Sequence, residues 1–167
     1  MVIIPASFVL LNAISYRKAK KGDGDTIPIL SSMERKGEEE TPGTVYYALS
    51  IMLMGIITLI NEQMMIPCGI GLFCMAFGDG MAGVIGKKTT GIFAKQIIKG
   101  KSLGGSIACI VFSIIGCGLL LLFMGYNLYF VKLIIIGICC AILELPDYGL
   151  DNITVPFGCM IIAYLLL

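Results

Sequence analysis

Residues 102–125 hold no charged side chain. A helix that crosses the hydrocarbon core of a bilayer needs about 20 predominantly apolar residues. Backbone placed in lipid must satisfy its own polar groups as a helix or a closed barrel. The pattern recurs: further apolar runs lie at 2–16, 44–60, 64–86, 128–145 and 151–167, with charges clustered between them. Of 167 residues, 57% are hydrophobic and 14% charged, too few polar groups to coat a soluble domain. The reading is an all-α polytopic membrane helix bundle of about six transmembrane helices, a single domain over 1–167 without internal repeats. The run at 2–16 is short, so it is tilted, shielded or lacks its beginning. Neither a basic leader nor a cleavage site marks a cleavable signal peptide.

The loops at 17–43, 87–101 and 146–150 share one side. Of the 12 basic residues, all but Lys132 fall in the first two of these loops. Basic loops stay inside, so these face the cytoplasm and both termini face outward. The centre of 87–101 is apolar (Ile92, Phe93, Ile97, Ile98), which suits the membrane interface. The net charge of +1 says nothing about nucleic acid, but a long basic arm with interleaved aromatics is lacking, so no nucleic-acid partner is expected. All 7 cysteines fall in apolar runs, with no C-x-x-C and no histidine, so spacing offers no zinc ligand set and they read as small buried hydrophobes.

Within 64–86 lies Asp79, flanked by Gly78, Gly80, Gly83 and Gly86. An ionisable residue inside a membrane segment is costly and marks a functional site by default. The topology gathers other charges on the same face: Glu144 ends the fifth run, Asp147 follows it, Asp151 and Asn152 open the sixth, and Lys87, Lys88 and Lys101 sit in the loop between. Acids and lysines at one membrane surface suit a divalent metal and a polyphosphate. Ser102 can cap the fourth helix, whose free N–H groups would then face phosphate, with Gly104 and Gly105 leaving the approach open.

Several look-alikes fail. Gly78–Gly83 spells G-x-G-x-x-G, but no strand precedes it. Gly100-Lys101-Ser102 resembles the end of a P-loop, but Lys95 stands where its first glycine belongs. The stretch from Asp23 to Glu34 lacks the ligand and glycine that a calcium loop needs at Ile27 and Pro28. The glycosylation sequon at Asn152 lies on the cytoplasmic side. The charges at 35–40 read as a solvated run ahead of the second helix.

Taken in order, four motifs resemble the polyprenol kinase family, which includes phytol kinases, dolichol kinases and CTP-dependent diacylglycerol kinases. They are Gly78-Asp79-Gly80 with Ala82 and Gly86; Lys101-Ser102 with Gly105 and Ser106; Glu144; and Asp151-Asn152 with Pro156. The segment from Arg35 through Glu38 and Gly43 to Tyr46-Tyr47 also resembles the family. The resemblance implies transfer of a nucleoside triphosphate's γ-phosphate, from CTP rather than ATP, to a prenol-type lipid or diacylglycerol. It implies Mg²⁺ held by Asp79 and Asp151, with Asp79, Glu144 and Asp151 catalytic. Gly78, Gly80, Gly83, Gly86, Lys87, Lys88, Lys101, Ser102, Gly105, Ser106 and Asn152 would bind the nucleotide phosphates. The family's extra N-terminal spans and Arg-Lys…His motif have no counterpart here, so the expectation is a shortened form, a fragment or a chain completed by a partner. A homo-oligomer is compatible with this. Two other readings stay open: a phosphatidate cytidylyltransferase-like enzyme, and a transporter or channel subunit with Asp79 as its ion site. A transporter would place its charges near mid-membrane between repeats, not at one edge.

Overall fold

Helix α1 (Gly43–Ile60) stops at Asn61, whose side chain accepts a hydrogen bond from Gln63 N at 3.0 Å and starts the next helix at once. The structure is a computed structural model describing residues 43–98, 101–146 and 150–167. Helix α2 (Glu62–Lys88) opens with a 3₁₀ turn at Glu62–Met64 and runs as α-helix over Met65–Phe73. It widens into a π-helical segment over Cys74–Asp79 and returns to α over Gly80–Lys88. A π-turn accommodates an extra residue and re-aims the side chains beyond it. Lys87 and Lys88 lie in the last turn, where cations suit the helix dipole.

The expected helical fold has one local departure, between α2 and the next helix. Strand β1 (Gln96–Ile98) pairs antiparallel with β2 (Lys101–Ser102), and Leu103 N donates to Lys95 O at 2.9 Å. The β-branched pair Ile97-Ile98 favours extended backbone, and the hairpin carries Lys101 back to the bundle. Helix α3 (Leu103–Phe123) follows, capped by Ser102 Oγ, which accepts from Gly105 N at 3.2 Å. It ends at Gly125 (φ 75°), with Tyr126 N bonded to Leu121 O at 2.8 Å and Gly125 N to Leu122 O at 3.1 Å. That is a Schellman ending, for which glycine is suited by its freedom at positive φ.

Helix α4 (Phe130–Glu144) and helix α5 (Asp151–Leu166) complete the described chain. Pro156 lies inside α5 and cannot donate to the carbonyl of Asn152 one turn earlier. Ser50 Oγ on α1 donates to that carbonyl instead, and Asn152 Nδ2 donates to Gly43 O at 3.0 Å. The break in α5 thereby becomes the joint with α1. On its other side Pro156 O rests against Gly71, where a Cβ would overlap it.

Helix α2 is central. Its first half packs on α5, its π-turn on α3, α4 and α5, and its last turns on α3. The core they share includes Ile70, Cys74, Met75, Cys109, Cys117, Leu121, Ile136, Cys140, Val155 and Cys159. The outside is apolar as well. On α3 the stripe Ile107, Val111, Ile115, Leu119 recurs at one-turn spacing and is exposed, as are Val131, Ile134, Ile138 and Ile142 on α4. Two helices, α2 and α3, are long and apolar enough to cross a membrane; the other three described helices are apolar but shorter. Six crossings are therefore more than these helices establish, because Asn61, Pro146 and the hairpin cut the apolar sequence into unequal pieces. The expected run at 2–16 lies outside the described residues.

Candidate functional site at the charged end of the bundle

The C-terminal ends of α2 and α4 and the N-terminal ends of α1, α3 and α5 meet at one end of the bundle. Lys101 is delivered there by β2, immediately before the cap of α3. Its Nζ donates to Glu144 Oε1 at 2.9 Å and to Asp151 Oδ2 at 3.0 Å. Glu144 and Asp151 are each only 4% exposed. Asp151 opens a helix, where the dipole favours a carboxylate; Glu144 ends one, where it does not. The ammonium that bridges them therefore offsets an unfavourable position as well as a burial cost. Burial works against charge on Lys101, but the hydrogen bond and charge of Glu144, with those of Asp151, outweigh it and hold its pKa above the ordinary 10.5. Lys101 is a cation at any physiological pH.

Asp79 ends the π-turn and is 8% exposed. It lines a cavity of about 400 Å³ with Gly80, Gly83, Val84, Lys87 and Lys88. Positions 80, 83, 84 and 87 share one helical face, and a Cβ at Gly80 or Gly83 would meet nothing within 4 Å. The glycines leave a channel along the helix, with a carboxylate at one end and two ammonium groups about two turns away. Tyr47 on α1 lies within electrostatic reach of Asp79.

The other singled-out residues divide by what they touch. Gly78 is buried against Ser113, leaving no room for a Cβ, so it serves helix contact. Gly86 and Gly105 face each other: a Cβ on Gly86 would lie 3.0 Å from Ser102 Oγ and 3.4 Å from Gly105 Cα. The expected open approach over Gly104 and Gly105 is filled, by Thr89 on the first and by Ala82 O and Gly86 on the second. Ser102 is engaged in its cap and Asn152 in its bond to α1, while Ser106 is half-buried in the first turn of α3. Asp147, Lys99, Gly100 and the charges at 35–40 lie outside the described residues. Val84 also lines the cavity, a place that only its position one turn after Gly80 signals in the sequence.

No family model matches the chain, and no solved structure matches it. Curated relatives do. Over 147 residues, 83% of this chain, it is 33% identical to a protein of Synechocystis sp. named phytol kinase. It is 28% identical over 152 residues to a probable chloroplastic phytol kinase of Oryza sativa subsp. japonica, and 27% identical to one of Triticum aestivum. The chain spans 60% of the cyanobacterial relative's length and 47% and 49% of the two plant proteins. These alignments extend over most of a chain that carries the four ordered motifs, and three of those motifs converge through Lys101, Glu144 and Asp151. The chain belongs to the polyprenol kinase family, alongside the phytol kinases.

Proposed function

We propose that this chain carries the phosphate-transfer site of a membrane-embedded lipid kinase. It moves the γ-phosphate of a nucleoside triphosphate, CTP in preference to ATP, onto the hydroxyl of a prenol-type lipid. The names of the relatives favour a prenol over diacylglycerol as acceptor. The observation that carries the reading is the cavity running from buried Asp79 past two open glycines to Lys87 and Lys88, at the bundle end that also holds Lys101, Glu144 and Asp151.

Phosphoryl transfer is mostly positioning and charge neutralisation. Lys87 and Lys88 attract the polyphosphate, and Gly80 and Gly83 let it lie close to the helix. The acceptor oxygen bonds to the γ-phosphorus as the bond to the leaving nucleoside diphosphate breaks, and the hydroxyl proton passes to a carboxylate. Glu144 and Asp151 are the carboxylates placed for that task, since a general base must come within hydrogen-bond reach of the proton it takes and both stand at this end of the bundle. Carboxylate oxygens are the hard donors that Mg²⁺ takes, usually one or two from protein with the rest from phosphate and water. Asp79 on the cavity and Asp151 at the neighbouring helix start would hold it. Bound there, Mg²⁺ supplies neutralisation of phosphate charge.

The site lies at helix ends, and the outer faces of α3 and α4 are apolar. Embedded in a bilayer by several helices, the bundle would hold the site at headgroup level, where a lipid hydroxyl resides. The lysine bias turns that end to the cytoplasm. The test is labelled-phosphate transfer in membranes containing the chain, from CTP and from ATP, to phytol, longer prenols and diacylglycerol. Asp79→Asn is expected to lower transfer on the order of 10³-fold; variant activity equal to wild type refutes the metal role. Release of pyrophosphate instead of nucleoside diphosphate would show a cytidylyltransferase.

A further inference from the structure

Five of the cysteines meet in the interior, although sequence scatters them. Cys74 on the π-turn of α2, Cys140 on α4 and Cys159 on α5 place their Sγ atoms all within 4.8 Å of one another, and each is buried. Cys117 on α3 brings its Sγ to 3.5 Å from that of Cys74, and Cys109, also on α3, to 3.5 Å from that of Cys140. All are free thiols. One buried cysteine is a small hydrophobe; three converging from three helices make a ligand set. Each stands deeper in the bundle than a carboxylate on its own helix: Cys74 before Asp79, Cys140 before Glu144, Cys159 after Asp151. The thiols therefore form a layer below the charged end, inside the packed core.

We propose that Cys74, Cys140 and Cys159 form a thiolate site for one thiophilic d¹⁰ metal ion, Zn²⁺ or Cu⁺. Metal–sulfur bonds of about 2.3 Å put three thiolates roughly 3.8–4.0 Å apart around one ion. The three sulfurs need to close by about 1 Å at most. Sulfur donors select soft or borderline ions and disfavour Mg²⁺, so this site is chemically distinct from the carboxylates above it. Binding exchanges three thiol protons for the ion. Three thiolates suffice for Cu⁺, while Zn²⁺ takes a fourth ligand; Cys117 and Cys109 each stand beside one member of the trio. The ion cross-links α2, α4 and α5 at the first residue of the π-turn and fixes the segment that carries Asp79.

The experiment is metal analysis of the detergent-purified chain kept reduced, followed by titration of the stripped protein with Zn²⁺ and, separately, Cu⁺ against a chelator of known affinity. One equivalent per chain is expected in one arm, with sulfur-to-metal charge-transfer absorption or, for Zn²⁺, an all-sulfur shell by X-ray absorption. Cys74→Ala, Cys140→Ala and Cys159→Ala should each weaken binding more than the ~10- to 100-fold lost with an outer-sphere partner. Cys139→Ala, outside the cluster, should not. Thermal stability should rise with metal in the wild type and in Cys139→Ala, and not in the three cluster variants. Substoichiometric binding in both arms, an oxygen or nitrogen shell, or full binding by the triple alanine variant overturns the site. The wild-type measurements decide the matter even if a variant fails to fold.

Discussion

Asp79 and the Glu144–Asp151 pair sit at the same end of one bundle and are treated in opposite ways. The pair is clasped by Lys101 at 2.9 and 3.0 Å, so part of its bonding capacity is spent inside the protein. Asp79 lines a cavity whose other charges, Lys87 and Lys88, are exposed two turns away. The first region is bridged within the protein; the second borders an open space. The difference is one of surroundings: Lys101 bridges two of the buried acids, and the third borders an open space beside two exposed lysines.

Removing the clasp should break this contrast most sharply. Lys101→Met leaves Glu144 and Asp151 buried without their shared cation, and stripping one partner from a buried ion pair costs about 3–5 kcal/mol. The expected result is a large loss of thermal stability in detergent, followed by circular dichroism, whether or not nucleotide is present. Asp79→Asn should lose activity while keeping stability near wild type. If both variants lose stability alike, the two regions are not different in kind.

The glycines sharpen the comparison at smaller scale. Gly78 is packed against Ser113, so Gly78→Ala overfills a closed contact and should cost about 1–3 kcal/mol. Gly83 faces open space, and leucine is the better helix former. Gly83→Leu should therefore leave stability unchanged while its side chain fills the channel, raising the KM for nucleotide about 10-fold with a lesser effect on kcat. Thermal melts and steady-state kinetics on the two variants separate packing glycines from lining ones, although both lie within six residues of one helix.

That split was not legible in the sequence, and the reason is physical. Charge-free runs announce helices because burying charge is costly, so the helices of 43–166 could be anticipated from composition alone. The convergence of Lys101, Glu144 and Asp151 also followed, because basic loops and run lengths determine which helix ends meet. What a glycine touches depends on helix rotation, and no periodicity resolves that when both faces of a helix are apolar. The π-turn before Asp79 has no sequence signal of its own. The thiol cluster was hidden for the same reason: Cys74, Cys140 and Cys159 come from different helices, and ligand spacing along the chain detects only sites built from neighbouring turns. The hairpin at 96–102 had a faint mark in Ile97-Ile98, which reads equally well as an interfacial apolar patch.

The smallest expected effect concerns pH, and it tests whether the clasp is ionic. The pKa of Lys101 is raised in the folded state, so the folded protein holds that proton more tightly than the unfolded chain does. Its contribution is fully present below the ordinary lysine value of 10.5 and is lost as pH climbs through the higher folded value. The melting temperature should therefore show no Lys101-dependent change from neutral pH to about 10 and decline above it. Lys101→Arg keeps a cation that does not deprotonate in this range, so the difference between variant and wild type should narrow in the arginine variant's favour as pH rises. A constant difference across the whole range would mean that Lys101 stabilises the bundle by packing its stem, and that its hold on Glu144 and Asp151 is not electrostatic in origin.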